Sequence, residues 1–162
     1  MKKMMMAVAG LAMAVVLTGC GGSPKSVAED FATAIVQKEP GKAFEFYDTV
    51  QARGTKFSLR TKDDVDALKK ALEELGKKIN DDKYECKAIL EQYTVPPEDS
   101  IGYVVVNGSK KYVMETATVT VQYVKGKDKK PDGLVVNLMK VDGSWKVTGY
   151  NEKSNLDTSD AK

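Results

Sequence analysis

Apolar residues recur first at helical spacing and then at every second position, with the change of period near Lys83. Val27, Phe31, Ala34 and Ile35 fall at i, i+4, i+7 and i+8, which predicts a helix with one buried stripe. Ser23 is placed to cap it and Pro24 to occupy its first turn, where a missing N–H costs nothing. Glu29 and Asp30 lie in or near its first turns, where the helix dipole favours negative charge. "KEPGKAF" breaks that helix, and Pro40 starts a second short one through Ala43, Phe44, Tyr47 and Val50, ended by Arg53-Gly54. Thr61 caps a third helix, with Asp64 three residues on as a near-capping box. Its apolar positions, Val65, Leu68, Leu72, Leu75 and Ile79, are spaced 3, 4, 3, 4. The run is too short for a coiled coil and reads as a packed amphipathic helix.

From Lys83 the pattern is that of strands. Tyr84, Cys86, Ala88 and Leu90 share one face of the first, which "VPPEDS" interrupts because proline cannot continue a ladder. "IGYVVVN" and "KYVMETATVTVQYV" follow, separated by the hairpin signal Asn107-Gly108. In the second of these Ala117, Val119 and Val121 face the core, while Thr116, Thr118 and Thr120 face out. "KGKDKKPDG", 125–133, reads as a solvated hairpin tip, or more sharply as a contact for anionic lipid headgroups or lipopolysaccharide. Asp142-Gly143 fits a two-residue turn that sets Val141 opposite Ser144 and Lys140 opposite Trp145. Trp145 and Val147 then share a core face with Leu138 and Val136, and the Lys140 stem lies over the indole with its ammonium in water. Residues beyond Asn151 turn polar and read as a frayed tail.

The chain's opening has a different logic. Lys2 and Lys3 precede an apolar run from Met4 to Leu17, too short for the ~18–20 residues of a spanning helix but suited to the apolar core of a secretory signal. The run ends Leu17-Thr18-Gly19-Cys20, which resembles the bacterial lipobox. That resemblance implies a diacylglyceryl group on the Cys20 thiol, cleavage between Gly19 and Cys20, and frequent acylation of the new amine, palmitate being a typical chain. The alternatives are a plain secreted protein or a single-span anchor. Two or three chains on one cysteine anchor stably, where one alone holds only marginally. Gly21, rather than Asp, follows the cysteine, which by resemblance to enteric sorting directs the protein to the outer membrane, facing the periplasm. In a single-membrane organism the same anchor holds it on the outer face of the cell membrane.

Removing residues 1–19 takes away two lysines and no acids, so 25 basic and 23 acidic residues become 23 of each. The mature chain is neutral, and nothing in it points to nucleic acid. With Cys20 lipidated, Cys86 has no disulfide partner. The absence of histidine removes the commonest general base and most zinc sites, and no metal or other cofactor is implied.

Three amphipathic helices followed by a meander of long strands resemble small lipoproteins whose domain belongs to the nuclear transport factor 2-like superfamily. The stretches that carry the likeness are "SPKSVAEDFATAIVQKEPGKAFEFY", "ATVTV" and "DGSWKV", over roughly residues 24–150. It implies an α+β fold, three N-terminal helices packed on a curved antiparallel sheet of four to five strands, cone-like in shape. The organisation expected is a removed signal over 1–19, lipidated Cys20 with a tether to 25, the domain over 26–150 and a polar tail over 151–162.

Three functions fit such a chain. A binding module would line its cone with Phe31, Phe44, Tyr47, Val119, Val136, Leu138 and Trp145 and hold a small apolar ligand. An interaction module would meet an envelope protein through a sheet face or edge. An enzyme of the ketosteroid-isomerase or polyketide-cyclase type would need a tyrosine among Tyr47, Tyr103 and Tyr112, and a carboxylate such as Asp48 or Glu115. No residue is singled out as catalytic, and the binding or interaction reading is preferred. Alternation puts Cys86 on the apolar side as an inert thiol. A reactive one requires exposure at the strand edge and a neighbouring cation.

Overall fold

Helix α1 spans Pro24–Val36, and its start follows from its first residues. The Ser23 hydroxyl accepts the Ser26 N–H at 3.2 Å, and Pro24 sits where no N–H is needed. The computed structural model describes residues 22–47, 62–95, 102–106, 109–141 and 143–159. At its other end α1 closes on itself: Lys38 N donates to Ile35 O at 3.0 Å and Glu39 N to Ala34 O at 2.9 Å. This paired closure needs a left-handed residue, and Lys38 supplies it at φ 59°. Helix α2, Pro40–Glu45, is shorter than the periodicity predicts. Tyr47 has left the helix and forms a parallel bridge with Val147, whose N–H donates to Phe46 O at 2.8 Å. Helix α3, Lys62–Ile79, buries Leu68, Leu72, Leu75 and Ile79 as predicted, with Val65 half-buried. Among the described residues no helix is long and apolar enough to cross a membrane. The expected signal, Gly19, Cys20, the Thr61 cap and the turn Asn107-Gly108 lie outside the described residues.

Among the described residues five strands make one antiparallel sheet: β1 Glu85–Thr94, β2 Gly102–Val106, β3 Ser109–Lys125, β4 Asp128–Val141 and β5 Ser144–Lys153. The fold is therefore α+β, with helices on an antiparallel sheet, as expected. β1 and β2 pair with different parts of β3, β4 pairs with the other edge of β3, and β5 follows β4. Val119, Val121, Leu134, Val136 and Val147 bury completely with Phe31, Ala28 and Ala32 of α1, and this is the core. The register at the last hairpin is the predicted one, Val141 opposite Ser144 and Lys140 opposite Trp145.

Three expectations are corrected. The segment 125–133 is not a loop tip, because only Gly126 and Lys127 turn and β4 has begun by Asp128. Pro131 is accommodated there by a bulge, where Gln122 pairs with Gly133 but Val124 with Lys129. Thr120 alternates outward as predicted but is only 1% exposed, and Gln122 next to it only 8%. The cover is the polar tail, which is not frayed as far as Ser159: β5 runs to Lys153 and the chain then folds back. Leu156 N donates to Pro131 O at 2.8 Å, and Gln122 Nε2 donates to Asp157 O at 2.9 Å. A polar segment can pack if its hydrogen bonds are met, and here the strand supplies them. Finally, the first turn of α1 holds no acidic residue, and Glu29 has a different task. Its Oε1 accepts the N–H of Ala88 at 2.8 Å and so satisfies one donor on the edge of β1.

The crossing of α1 and α3 depends on Gly76. A Cβ there would stand 2.6 Å from the Ile35 carbonyl oxygen, a backbone atom that cannot swing aside. Gly76→Ala is expected to lower stability by about 1–3 kcal/mol despite alanine's better helix propensity, because overpacking outweighs the propensity gain. Urea unfolding monitored by circular dichroism measures this, and a stability equal to or above wild type would refute the close-crossing account.

Candidate functional site

The helix-facing side of the sheet carries one row of polar residues at the end of β3 away from the β3–β4 turn. Glu115, Lys140 and Trp145 are consecutive partners across β3, β4 and β5. Tyr93 of β1 pairs with Ala117, one inward-facing position further along β3. Lys140 Nζ lies 3.0 Å from Glu115 Oε1, and the Tyr93 hydroxyl donates to Glu115 Oε2. Both oxygens of this half-buried carboxylate are thus occupied. The Tyr93 ring packs on the Trp145 indole at 5.8 Å between centroids, inclined at 56°. Tyr93 is itself 47% exposed, so the row runs from a buried indole to solvent. The ammonium of Lys140 therefore ends on a carboxylate rather than in water, and the aromatic partner of Trp145 is Tyr93.

Parity explains why Tyr93 is absent from the residues predicted for a site. Counting by twos from Tyr84 places it on the outer face. The register slips between Leu90 and Gln92, Glu91 is the extra residue, and every later side chain changes face. A second bulge, between Asn137–Leu138 and their partners, skips Thr148 and turns Tyr150 inward in the same way. The Thr148 hydroxyl donates to Asn137 O at 3.2 Å, closing the irregularity. No period-two reading of the sequence signals either bulge.

The residues expected to line the cone lie together in the core. Phe31, Val119 and Val136 are fully buried, with Leu138, Trp145 and Tyr47 nearly so. Phe44 is half-buried against them, with the Lys69 ammonium 5.0 Å from its ring centre. Phe31 packs edge-on against Tyr47 at 5.7 Å and tilted against Tyr150 at 5.9 Å. Burial, and then the field of Tyr150, pushes the ionisation of the Tyr47 hydroxyl well up, so it stays a neutral O–H donor. Of the residues weighed for catalysis, Glu115 faces inward and Tyr47 is in the core. Asp48 and the side chains of Tyr103 and Tyr112 lie outside the described residues. Among the described residues no group of acids and cysteine could hold a metal ion.

Cys86 is half-buried beside Tyr84 and opposite Tyr123, on the inward face as predicted. Burial pushes its thiol up to about 11, against a smaller lowering effect from a hydrogen bond with Thr33.

Comparison with known proteins finds no matching family model and no matching curated protein. Two solved structures are similar at low identity. One is Aln2 from a Streptomyces species, with 11% identity, a TM-score of 0.41, and coverage of 80% of this chain and 85% of that one. The other is a protein assigned as a scytalone dehydratase from Novosphingobium aromaticivorans, with 12% identity, a TM-score of 0.39, and 85% coverage of each chain.

The shift of Cys86 from 9.0 to about 11 lowers its thiolate fraction at neutral pH roughly a hundredfold. Maleimide labelling of the native protein is expected to be slower than in urea by at least that factor, counted at Cys86 by mass spectrometry. The folded thiol keeps its proton where the unfolded one has lost it, so this group's contribution to stability falls as pH rises from about 9 to about 11. Labelling of the native thiol as fast as the unfolded one would restore the reactive-cysteine reading.

Proposed function

We propose that this is a lipid-anchored cell-envelope protein whose nuclear transport factor 2-like domain is a non-catalytic binding or interaction module. The anchoring rests on the order of elements at the start of the chain: two lysines, a short apolar run, then Leu17-Thr18-Gly19-Cys20. Cleavage before Cys20 and its acylation leave the lipid three residues from Ser23, the cap of α1. The membrane is then the protein's permanent partner, whether the outer membrane facing the periplasm or the outer face of a single cell membrane. Its second partner is a small apolar ligand or an envelope protein.

The non-catalytic reading is carried by one observation: both oxygens of Glu115 are engaged, one by Lys140 and one by Tyr93. A carboxylate whose two oxygens already accept from neighbours must give one of them up before it can take a proton from a substrate. The Tyr93–Glu115 contact also supports a second reading, a small enzyme of the ketosteroid-isomerase or polyketide-cyclase type. That enzyme must free Glu115 from Lys140 to use it as a base. Its signature would be turnover of a cyclic ketone that rises in Lys140→Met and vanishes in Glu115→Gln. Lack of turnover in Lys140→Met removes the enzyme reading.

For the anchor, cells fed labelled palmitate are expected to incorporate it into the wild-type protein, which fractionates with membranes. Cys20→Ala should accumulate as unlabelled precursor of higher mass. If the mutant still matures and stays with the membrane, the lipidation assignment is wrong.

A further inference from the structure

A second concave feature lies at the opposite end of β3, between the last turns of α3 and the ends of β4 and β5. It is a cleft of about 260 Å³ lined by Leu75, Ile79, Tyr123, Asp132 and Glu152, with Lys78, Lys130 and Lys153 also in its wall. Eight residues of strand, about 27 Å, separate Tyr123 from Glu115, so this cleft is independent of the polar row. Tyr123 is 2% exposed, and its hydroxyl is the one buried side-chain polar atom without a hydrogen-bond partner among the described residues. A buried hydroxyl left unpaired is unfavourable and calls for an explanation. Burial, followed by the fields of neighbours that include Glu152 and Asp132, holds it as a neutral O–H.

The charges lining the cleft differ in how far each is engaged. Lys78 is paired with Glu152 at 2.9 Å. Lys130 donates to Ile79 O at 3.2 Å and covers the Tyr84 ring at 4.8 Å. Lys153 reaches Thr120 and Glu91 on the outer face. Lys130 thus has no carboxylate partner, but its ammonium is engaged; Asp132 makes no hydrogen bond or ion pair among the described residues and is the lining charge that meets no group at all. The carbonyl end of α3 adds negative potential on the same side. Asp132, exposed and without a contact, is free to take a cation. A hydroxyl suits the place near Tyr123, since it can accept from the phenol and also donate to a neighbouring carboxylate.

We propose that this cleft binds a small hydroxylated amine, free in solution, its ammonium on Asp132 and a hydroxyl on Tyr123. Tyr123 is one of the lining residues, and its hydroxyl is buried. Lys78 and Glu152, which line the same cleft, are exposed and joined by a weak surface pair, so their side chains can move aside as the ligand enters. A hexosamine has the right groups and fits the volume.

The test uses the full-length protein in detergent, titrated below pH 7 with glucosamine, glucose and cyclohexylamine and followed by tyrosine-ring and amide NMR shifts. Glucosamine is expected to bind saturably in the millimolar range, with Asp132→Asn weakening it ~tenfold and Tyr123→Phe ~fivefold. Glucose, without an ammonium, and cyclohexylamine, without a hydroxyl, are expected to bind more weakly than glucosamine. Absence of saturable binding, equal binding of glucose, or wild-type affinity in Asp132→Asn overturns the proposal. Tyr123→Phe separately reports on the hydroxyl. If it is unpartnered, the urea midpoint of the free variant stays the same or rises, and a fall would show that the hydroxyl already has a structural partner.

Discussion

β3 is paired along both edges, and its fixed alternation is the constraint on which every cross-sheet placement depends. Between Ala117 and Tyr123 its inward residues meet α1, and its outward residues Thr120 and Gln122 are buried as well. A strand buried on both faces cannot slip, because moving by one residue would carry Thr120 and Gln122 into the apolar core and Val119 and Val121 onto polar partners. The hydrogen bonds of Gln122 to the Lys130 and Asp157 carbonyls enforce the same register from the outside. The tail is therefore part of what determines the sheet, although its composition is that of a loop.

With that register set, irregularities elsewhere acquire meaning. The bulge in β1 turns Tyr93 inward to Glu115, and the bulge in β5 turns Tyr150 inward to Phe31. The bulge in β4 admits Pro131, whose carbonyl receives the tail. Gly133, next to it, sits where a Cβ would meet the Val121 carbonyl at 2.3 Å and Leu156 at 2.6 Å, so β3, β4 and the tail can close only over a bare backbone. Each bulge thus places a group that a regular ladder would leave in solvent.

What the sequence makes legible follows from the same physics. Helix stripes, the Ser23 cap and the Lys140–Trp145 opposition are local: a few neighbouring residues and one turn type specify them. The inward face of β3 is equally plain, because three strands' worth of apolar residues agree with it. Tyr93 is hidden because a single extra residue, Glu91, reverses parity, and nothing about a glutamate announces that. Periodicity assigns Tyr47 to a helix that in fact ends at Glu45, since its spacing suits either a helix or a bridge to Val147. The cover over Thr120 and Gln122 is illegible for another reason: the tail packs through backbone hydrogen bonds and Leu156, not through an apolar pattern. The cleft beside α3 cannot be read at all, because it is defined by Asp132 lacking a partner, and a missing partner has no sequence signature.

The two polar features at the ends of β3 differ in what they ask of a ligand. At Glu115 the charges are already matched, so a ligand gains little from adding another and would bind by covering the aromatic pair Tyr93 and Trp145. At Asp132 and Tyr123 a charge and a hydroxyl stand unmatched, so a polar ligand gains by supplying both partners. Under the proposed anchoring, the distance from Cys20 to the start of α1 at Pro24 is only about 13 Å even when fully extended. With 23 charges of each sign in the mature chain, net charge does not draw the domain onto anionic lipid. Under that anchoring the short tether would keep the domain near the bilayer without net charge committing a face to it, and either end of β3 would be open to a ligand from the aqueous side.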